Sequence, residues 1–588
     1  MNDGKSYDKK ERHLSLDEVQ YFERAMDTFA EIKTSQEAAD FFQTINDELK
    51  NKEILIAKHK TCSRFLDEYI KQCPNESLER LFRVFSTHFE DLSRDRFASH
   101  NVENLINQAL QRLESGDQDT SFIELLTSFV SELTPCAANL ADDPSGTHVI
   151  RCIFNSMSKL QNEKLTTKID KLARKIIQSF VQDKSRIQST YLSATVQCIS
   201  SLDQEKYGKL LKYLLNSVPL KFENLSDKFS SRLIESLIEN MGKSATTAIY
   251  EQTFANKENL PTGSLGFAVD CAFDQNANFV LQKWLENCRD PEQLMTVIKQ
   301  LMKRVESLLS RRPQVIVSLS VGIVSTNYKL QKEFYDILSK QSNDGVSNEN
   351  FVEHYYRFRP PNGSKILQNI CYFDKKICSE LAGEVLKLGG EKLADVAADK
   401  AGSYFVSDFI RSDNIDLKIR KKIIRRLFPK IGFLSTNQYG RHVVDNAFNI
   451  ADLQLKKEIC DNIVKAAKGD GSSSNMAAFK EEARTIWRNL RLDQFMSKID
   501  LWEKDTENIM KRQQAMNEII NDESIPDVKP LAPKILNVQE EIKNIIQSPE
   551  AKQAAEEVEQ IGSLHKRRKK HRHQRNDDDT NEQTPNDN

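Results

Sequence analysis

A chain of 588 residues is too long for one compact core, so the sequence predicts several domains or one elongated array. Only 19 glycines and 15 prolines punctuate it, which favours an all-α protein, and a net charge of -2 excludes a general basic field as the means of holding a nucleic acid. The ten cysteines form no C-x-x-C pair and no Cys/His cluster at zinc spacing, so reduced thiols, no disulfide, no metal and no cofactor are expected.

Residues 1–14 are expected to be disordered. Their charges occupy the place where a signal peptide needs an apolar core. No later run approaches the roughly 18 apolar residues of a membrane span. A soluble, non-secreted protein without a membrane partner is the expectation. At Ser15 the pattern turns helical: Ser15 and Glu18 have capping-box spacing, and Val19, Phe22, Met26 and Phe29 follow at helical intervals.

From here to about residue 500 the chain echoes itself. The clearest unit is DQNANFVLQKWLEN, Asp274 to Asn287. Val280, Leu281, Trp284 and Leu285 form the apolar stripe of a packed helix, while Asn278, Phe279 and Gln282 fall on another side. Two amides one turn apart beside a flat ring can hold the edge of a base and stack on its face. Aligned on Asn278, the other units start at Ser63, Ser99, Thr147, Ser193, Ser231, Gln314, Ser364, Ser403, Arg441 and Arg484, with gaps of 36 to 50 residues. Such a period marks a solenoid in which each unit buries its face against the next. The sharpest echoes are SGTHVIRCIF, FSSRLIESLI, NGSKILQNIC, AGSYFVSDFI and YGRHVVDNAF; the Gln314 and Arg484 units rest on spacing alone. SGDQDTS (Ser115 to Ser121) and SNDGVSNEN (Ser342 to Asn350) read as loop-like inserts.

Residues 501–535 read as a terminal helix and a Pro-containing linker, and 536–588 as a charged, disordered tail. Within that tail Lys566, Arg567, Arg568, Lys569, Lys570, Arg572 and Arg575 crowd ten residues without an acid, the composition of a nuclear or nucleolar targeting run. Arg420, Lys421, Lys422, Arg425 and Arg426 share one helix, where they would either meet phosphates or form a solvated outer face.

These repeats resemble the pumilio (PUF) family of RNA-binding proteins. The resemblance implies an α-solenoid of about eleven helical repeats forming a curved crescent. In each repeat the first and fifth signature residues would read a base edge and the second would stack. Residue by residue it implies RNA-binding roles for Ser99/His100/Glu103, Thr147/His148/Arg151, Ser193/Gln197, Ser231/Arg232/Glu235, Asn278/Phe279/Gln282, Ser364/Lys365/Gln368, Ser403/Tyr404/Ser407 and Arg441/His442/Asp445. Thr147/Arg151, Ser403/Ser407 and Arg441/Asp445 depart from the family's reading pairs, and the last could instead be an i, i+4 ion pair.

The repeat count, the inserts and the stretches SGTHVIRCIF, QYGRHVVDNAF and ARTIWRNLRLDQF make the chain similar to the divergent nucleolar branch of that family. That branch implies a monomer in the nucleolus and nucleus that binds precursor ribosomal RNA and times small-subunit (18S) processing, with pre-ribosomal assembly proteins as further partners. Two other readings share the helical period: a cytoplasmic, messenger-regulating pumilio protein and an armadillo- or HEAT-like scaffold. A peptide groove, however, has no use for an amide or serine, a ring or cation, and a Gln or Glu at fixed spacing in repeat after repeat.

No enzyme reading competes. H-E-x-x-H, G-x-S-x-G and G-x-G-x-x-G are absent, and Met241-Gly242-Lys243-Ser244 lacks the upstream glycine of a phosphate loop because Leu237 stands there.

Overall fold

The computed structural model describes residues 13–29, 35–114, 120–183, 189–218, 220–255, 266–342, 350–358, 361–469 and 473–520. Most of both inserts, residues 1–12, the Pro-containing linker and the basic run 566–575 lie outside the described residues. Every regular element among the described residues is a helix.

Twelve helices stack in sequence order into one ladder. They are α1 (Leu16–Phe29), α2 (Cys62–Gln72), α3 (Ala98–Glu114), α4 (Gly146–Asn155), α5 (Thr190–Ser200), α6 (Lys228–Met241), α7 (Ala277–Asn287), α8 (Pro313–Val324), α9 (Asn362–Ile370), α10 (Lys400–Arg411), α11 (Gly440–Ile450) and α12 (Arg484–Asn489). Each packs on the next, α1 on α2 through α11 on α12. All eleven units aligned from the sequence therefore fall on ladder helices, and α1 adds a twelfth rung at the N-terminal end. The helices between them form a second layer, in which Thr120–Leu133 packs on Glu163–Gln182 and that helix on Gln204–Ser217. The chain divides into two units, residues 1–503 and 504–588; the first holds the ladder, and the described part of the second, 504–520, is helical.

The ladder starts at the capping box. Ser15 N–H donates to Glu18 Oε2 at 2.8 Å and Glu18 N–H returns to Ser15 Oγ at 3.3 Å. The Ser15 N–H, with Lys52 3.0 Å from the other oxygen, holds the Glu18 carboxyl down to about 2.

Later rungs start on a device of their own. Four residues before the signature, one acceptor takes up two orphan N–H groups of the new helix. Asp95 does so for Phe97 and Ala98, Asp143 for Ser145 and Gly146, Asp227 for Phe229 and Ser230, Asp274 for Asn276 and Ala277, Asp399 for Ala401 and Gly402, and Asn437 for Tyr439 and Gly440. Such a bond contributes about 1 kcal/mol to a helix. Its repetition fixes the register of every rung that has it.

Apolar stripes then do the packing. Val280, Leu281, Trp284 and Leu285 are fully buried, and Trp284 Nε1–H donates to Thr246 O at 2.8 Å, so its one polar atom is satisfied. Between repeats, cations close the carboxyl ends of helices: Lys206 donates to Ser158 O at 2.8 Å, Arg312 to Phe273 O at 3.2 Å and Arg426 to Leu388 O at 3.1 Å.

Rungs also approach their preceding helices so closely that some positions admit only glycine. A Cβ on Gly363 would stand 1.9 Å from Tyr355 O, and one on Gly402 would stand 2.2 Å from Val396 O. At the C-terminal end Trp502 covers the last turns, its Nε1–H donating to Leu490 O at 2.9 Å and its ring packed on Phe495.

Candidate nucleic-acid interface

The three signature positions have three different fates. First-position side chains are buried: Ser99, Thr147, Ser193, Ser231, Asn278, Ser364 and Ser403 lie between rungs. Several of them reach the following repeat two residues before its own signature. Thr147 Oγ donates to Tyr191 O at 3.4 Å, Ser193 Oγ to Phe229 O at 3.3 Å and Ser364 Oγ to Ala401 O at 2.6 Å. These three hydroxyls tie neighbouring rungs together, whereas those of Ser231 and Ser403 donate within their own rungs, to Lys228 O and Lys400 O. The spare lone pair of each is what remains for a ligand.

Second-position side chains do the opposite. His100, His148, Arg232, Phe279, Lys365, Tyr404 and His442 are all exposed, with Phe279 at 50% and Tyr404 at 59%. Large rings left in water on successive rungs are what stacking on bases requires. Arg64, on the Ser63 rung, extends the row and was missed by the sequence reading.

Fifth-position groups are half-buried on most rungs, Gln368 and Ser407 being buried, and their chemistry splits them. Each glutamine bonds its own first residue: Gln197 Nε2 donates to Ser193 Oγ at 3.2 Å, Gln282 Nε2 to Asn278 Oδ1 at 2.8 Å and Gln368 Nε2 to Ser364 Oγ at 3.4 Å. These bonds orient the amides. The two glutamates are instead short of donors. Glu103 Oε1 is buried without a partner, its only approach being His100 Nδ1 at 4.0 Å, and Glu235 receives no hydrogen bond from a described residue. Burial raises both carboxyls, Glu235 to about 7. His100, His148 and Arg151 draw the Glu103 carboxyl back down.

The remaining rungs use the fifth position inside the protein. Arg151 Nη2 lies 3.0 Å from His148 Nδ1, and Ser407 is buried. Arg441 and Asp445, which could have formed an i, i+4 ion pair, do not: Asp445 Oδ2 accepts from Asn489 Nδ2 of the next rung at 3.0 Å.

Two sequence expectations need adjustment. On α8 the buried set Val315, Ile316 and Leu319 matches Val280, Leu281 and Trp284 only if Pro313 takes the first position. The exposed second residue is then Gln314 and the fifth is buried Val317, so this rung offers no polar edge reader. The cap residue gives no help with this register, since neither choice places an Asp or Asn four residues upstream.

The basic helix 417–427 is largely committed to the protein. Arg420 pairs with Asp413 and Lys421 with Asp452, Arg425 grips Glu458 at 2.7 and 3.1 Å, and Arg426 holds two carbonyls. Lys418 and Lys422 are exposed with no side-chain partner among the described residues, and the other four cations make the helix mainly a staple between repeats.

Nothing in the ladder resembles a reactive centre. The described residues contain no cluster of His, Cys, Asp and Glu able to hold a metal, and no helix among them is long and apolar enough to cross a membrane. The cysteines are free, and burial raises their thiols, as in Cys73 at about 11.

A family model for the NOP9-like PUF repeat domain matches residues 51–197 and 155–469. The chain belongs to the NOP9-like PUF repeat family. That family consists of RNA-binding repeat proteins, not enzymes. Among the relatives of this NOP9-like chain, Nucleolar protein 9 of Candida glabrata is 24% identical, with 84% of this chain and 86% of the relative covered. Pumilio homolog 23 of Arabidopsis thaliana is 21% identical, covering 91% of this chain and 78% of its own length. The solved structure of APUM23 with GGAAUUGACGG has the same fold, with a TM-score of 0.68 at 18% identity over 84% of this chain and 100% of that one. A version lacking its insert region gives 0.69 at 19% identity, with the same coverage of both chains. The NOP9-like solenoid is therefore a PUF-type RNA-binding protein.

Proposed function

We propose that this NOP9-like chain binds precursor ribosomal RNA in the nucleolus as a single strand along the ladder. By occupying that strand it would deny access to nucleases and to premature pairing, and so time small-subunit (18S) processing. The observation that carries the reading is the repeated alternation of an exposed ring or cation with an oriented amide or donor-poor carboxylate. The name Nucleolar protein 9 and the RNA in the APUM23 complexes support the compartment and the ligand class. The signature residues of the ladder are proposed as its contacts, with Phe279, Tyr404 and the three histidines as stacking platforms.

The family pattern assigns bases. Ser99/Glu103 and Ser231/Glu235 would take guanine, Asn278/Gln282 uracil, and Ser193/Gln197 and Ser364/Gln368 adenine. A carboxylate accepts from both N–H groups on guanine's pairing edge, whereas an amide both donates and accepts. Because family RNA runs antiparallel to the protein, the strand reads 5′ to 3′ as A, any, U, G, A, any, G. The apolar fifth residue Val317 suits the first unselective place. An electrophoretic shift with labelled RNA of this sequence should give a salt-dependent complex. Absence of binding to any single-stranded pool at low salt would sink the reading and favour a protein-binding scaffold.

A further inference from the structure

Charged residues at the junction of α6 and α7 are not explained by the repeat signature. Glu235 and Glu239 stand one turn apart on α6, and the next rung sets a single ammonium, Lys283, against them. Lys283 Nζ is bonded to Glu239 Oε1, leaving Glu235 part-buried and without a hydrogen bond from a described residue. On its own helix Arg232, exposed, is the other cation that acts on Glu235. Rung α5, on the other side, carries no Asp, Glu, Lys or Arg; its titratable groups are Tyr191 and Cys198. The shorter helices against α6 bring Glu223 and Lys243, and Gln204–Ser217 brings its lysines, Glu205, Tyr207 and Tyr213. None of these is among the groups that perturb Glu235, which are Lys283, Glu239 and Arg232.

We propose that Lys283, although outside the repeat signature, determines specificity: by holding Glu235 as a carboxylate against the pull of Glu239, it sets the preference of the Ser231 rung for guanine over adenine. This deepens the proposed function and rests on it. The chemistry follows from donor count. A carboxylate accepts twice, matching guanine's two N–H groups, whereas the neutral acid has one O–H donor and one acceptor, the same pair that glutamine offers to adenine in neighbouring rungs. The proton comes from solvent and returns to it. Burial pushes the Glu235 carboxyl up to about 7, so at neutral pH a small change in local charge moves the group between the two forms.

The test uses the full chain and two labelled RNAs that differ only in guanine or adenine at the fourth base. Anisotropy is followed from about pH 6 to about pH 8, a range in which a group titrating at about 7 goes from mostly protonated to mostly ionised. Affinity for the guanine RNA should fall about tenfold from the upper to the lower limit, while affinity for the adenine RNA should rise as the neutral acid accumulates. Lys283→Met should move this transition to higher pH and lower the guanine-to-adenine ratio at neutrality, and Lys283→Arg should restore it. Glu239→Gln should act the opposite way, since it removes the competing acid. Glu235→Gln should abolish the pH dependence of base choice, which separates it from any pH effect exerted on other rungs. If Lys283→Met and Glu239→Gln change affinity for both RNAs equally and leave the ratio fixed, the pair is only a structural staple and the inference is overturned. If the unaltered chain binds neither RNA, the proposed function itself falls.

Discussion

Rungs α5 to α7 and rungs α10 to α11 are built alike and spend their fifth positions differently. Gln197 and Gln282 bond within their own helix and Glu235 receives no hydrogen bond from a described residue, which on the proposed function leaves these groups to a ligand. On α10 and α11 Ser407 is buried and Asp445 is taken by Asn489. Both regions nonetheless keep an exposed ring at the second position, Phe279 in one and Tyr404 in the other. The lesson is that stacking and base choice are separable in one scaffold. On the proposed function, the central rungs would stack and choose, whereas α10 and α11 would only stack.

Removing the core of the central region tests the shared scaffold with the largest effect. Trp284→Ala should cost about 3 to 5 kcal/mol of stability in urea unfolding, because the indole is fully buried with its N–H satisfied. A loss under about 1 kcal/mol would mean that the rungs do not depend on this core. Ring removal sharpens the contrast next. Phe279→Ala and Tyr404→Ala should each weaken RNA binding by about 1 to 3 kcal/mol with an unchanged salt slope. Phe279→Ala should also blur the uracil preference at its base, whereas Tyr404→Ala should leave base choice alone. A selectivity change from Tyr404→Ala would erase the distinction between the regions.

Caps give a smaller and equal effect in both regions. Asp274→Ala and Asn437→Ala should each cost about 1 kcal/mol by thermal unfolding, because both acceptors hold two N–H groups in the same geometry. The smallest effect is expected at Arg425→Glu. This breaks an exposed pair with Glu458 and should cost no more than about 1 kcal/mol of stability, with the RNA salt slope unmoved. A shallower slope would restore the basic helix as a phosphate track.

Much of this organisation can be read from the sequence because the apolar stripe and the solvent-facing residues obey one helical period. The rungs, their order and the exposed second positions follow from that pattern alone. Base-reading chemistry is only partly legible. A serine at the first position looks the same whether its hydroxyl is free or tied to the next rung, and nothing local to Asp445 shows that Asn489 will take it. The α8 register was misread because spacing tolerates an error of one residue, whereas burial of Val317 does not. The two readings of the basic helix stay open in the sequence for a similar reason: its partners Asp452 and Glu458 lie more than thirty residues further along the chain.

The central claim is that RNA lies along the ladder with the central rungs choosing its bases. Selection from a random RNA pool, before and after the double substitution Ser231→Asn with Glu235→Gln, tests it most directly. The account predicts enrichment of A, any, U, G, A, any, G by the unaltered chain and a switch of the fourth base from guanine to uracil in the variant, a discrimination worth about 1 to 3 kcal/mol. An unchanged fourth base in the variant would contradict it.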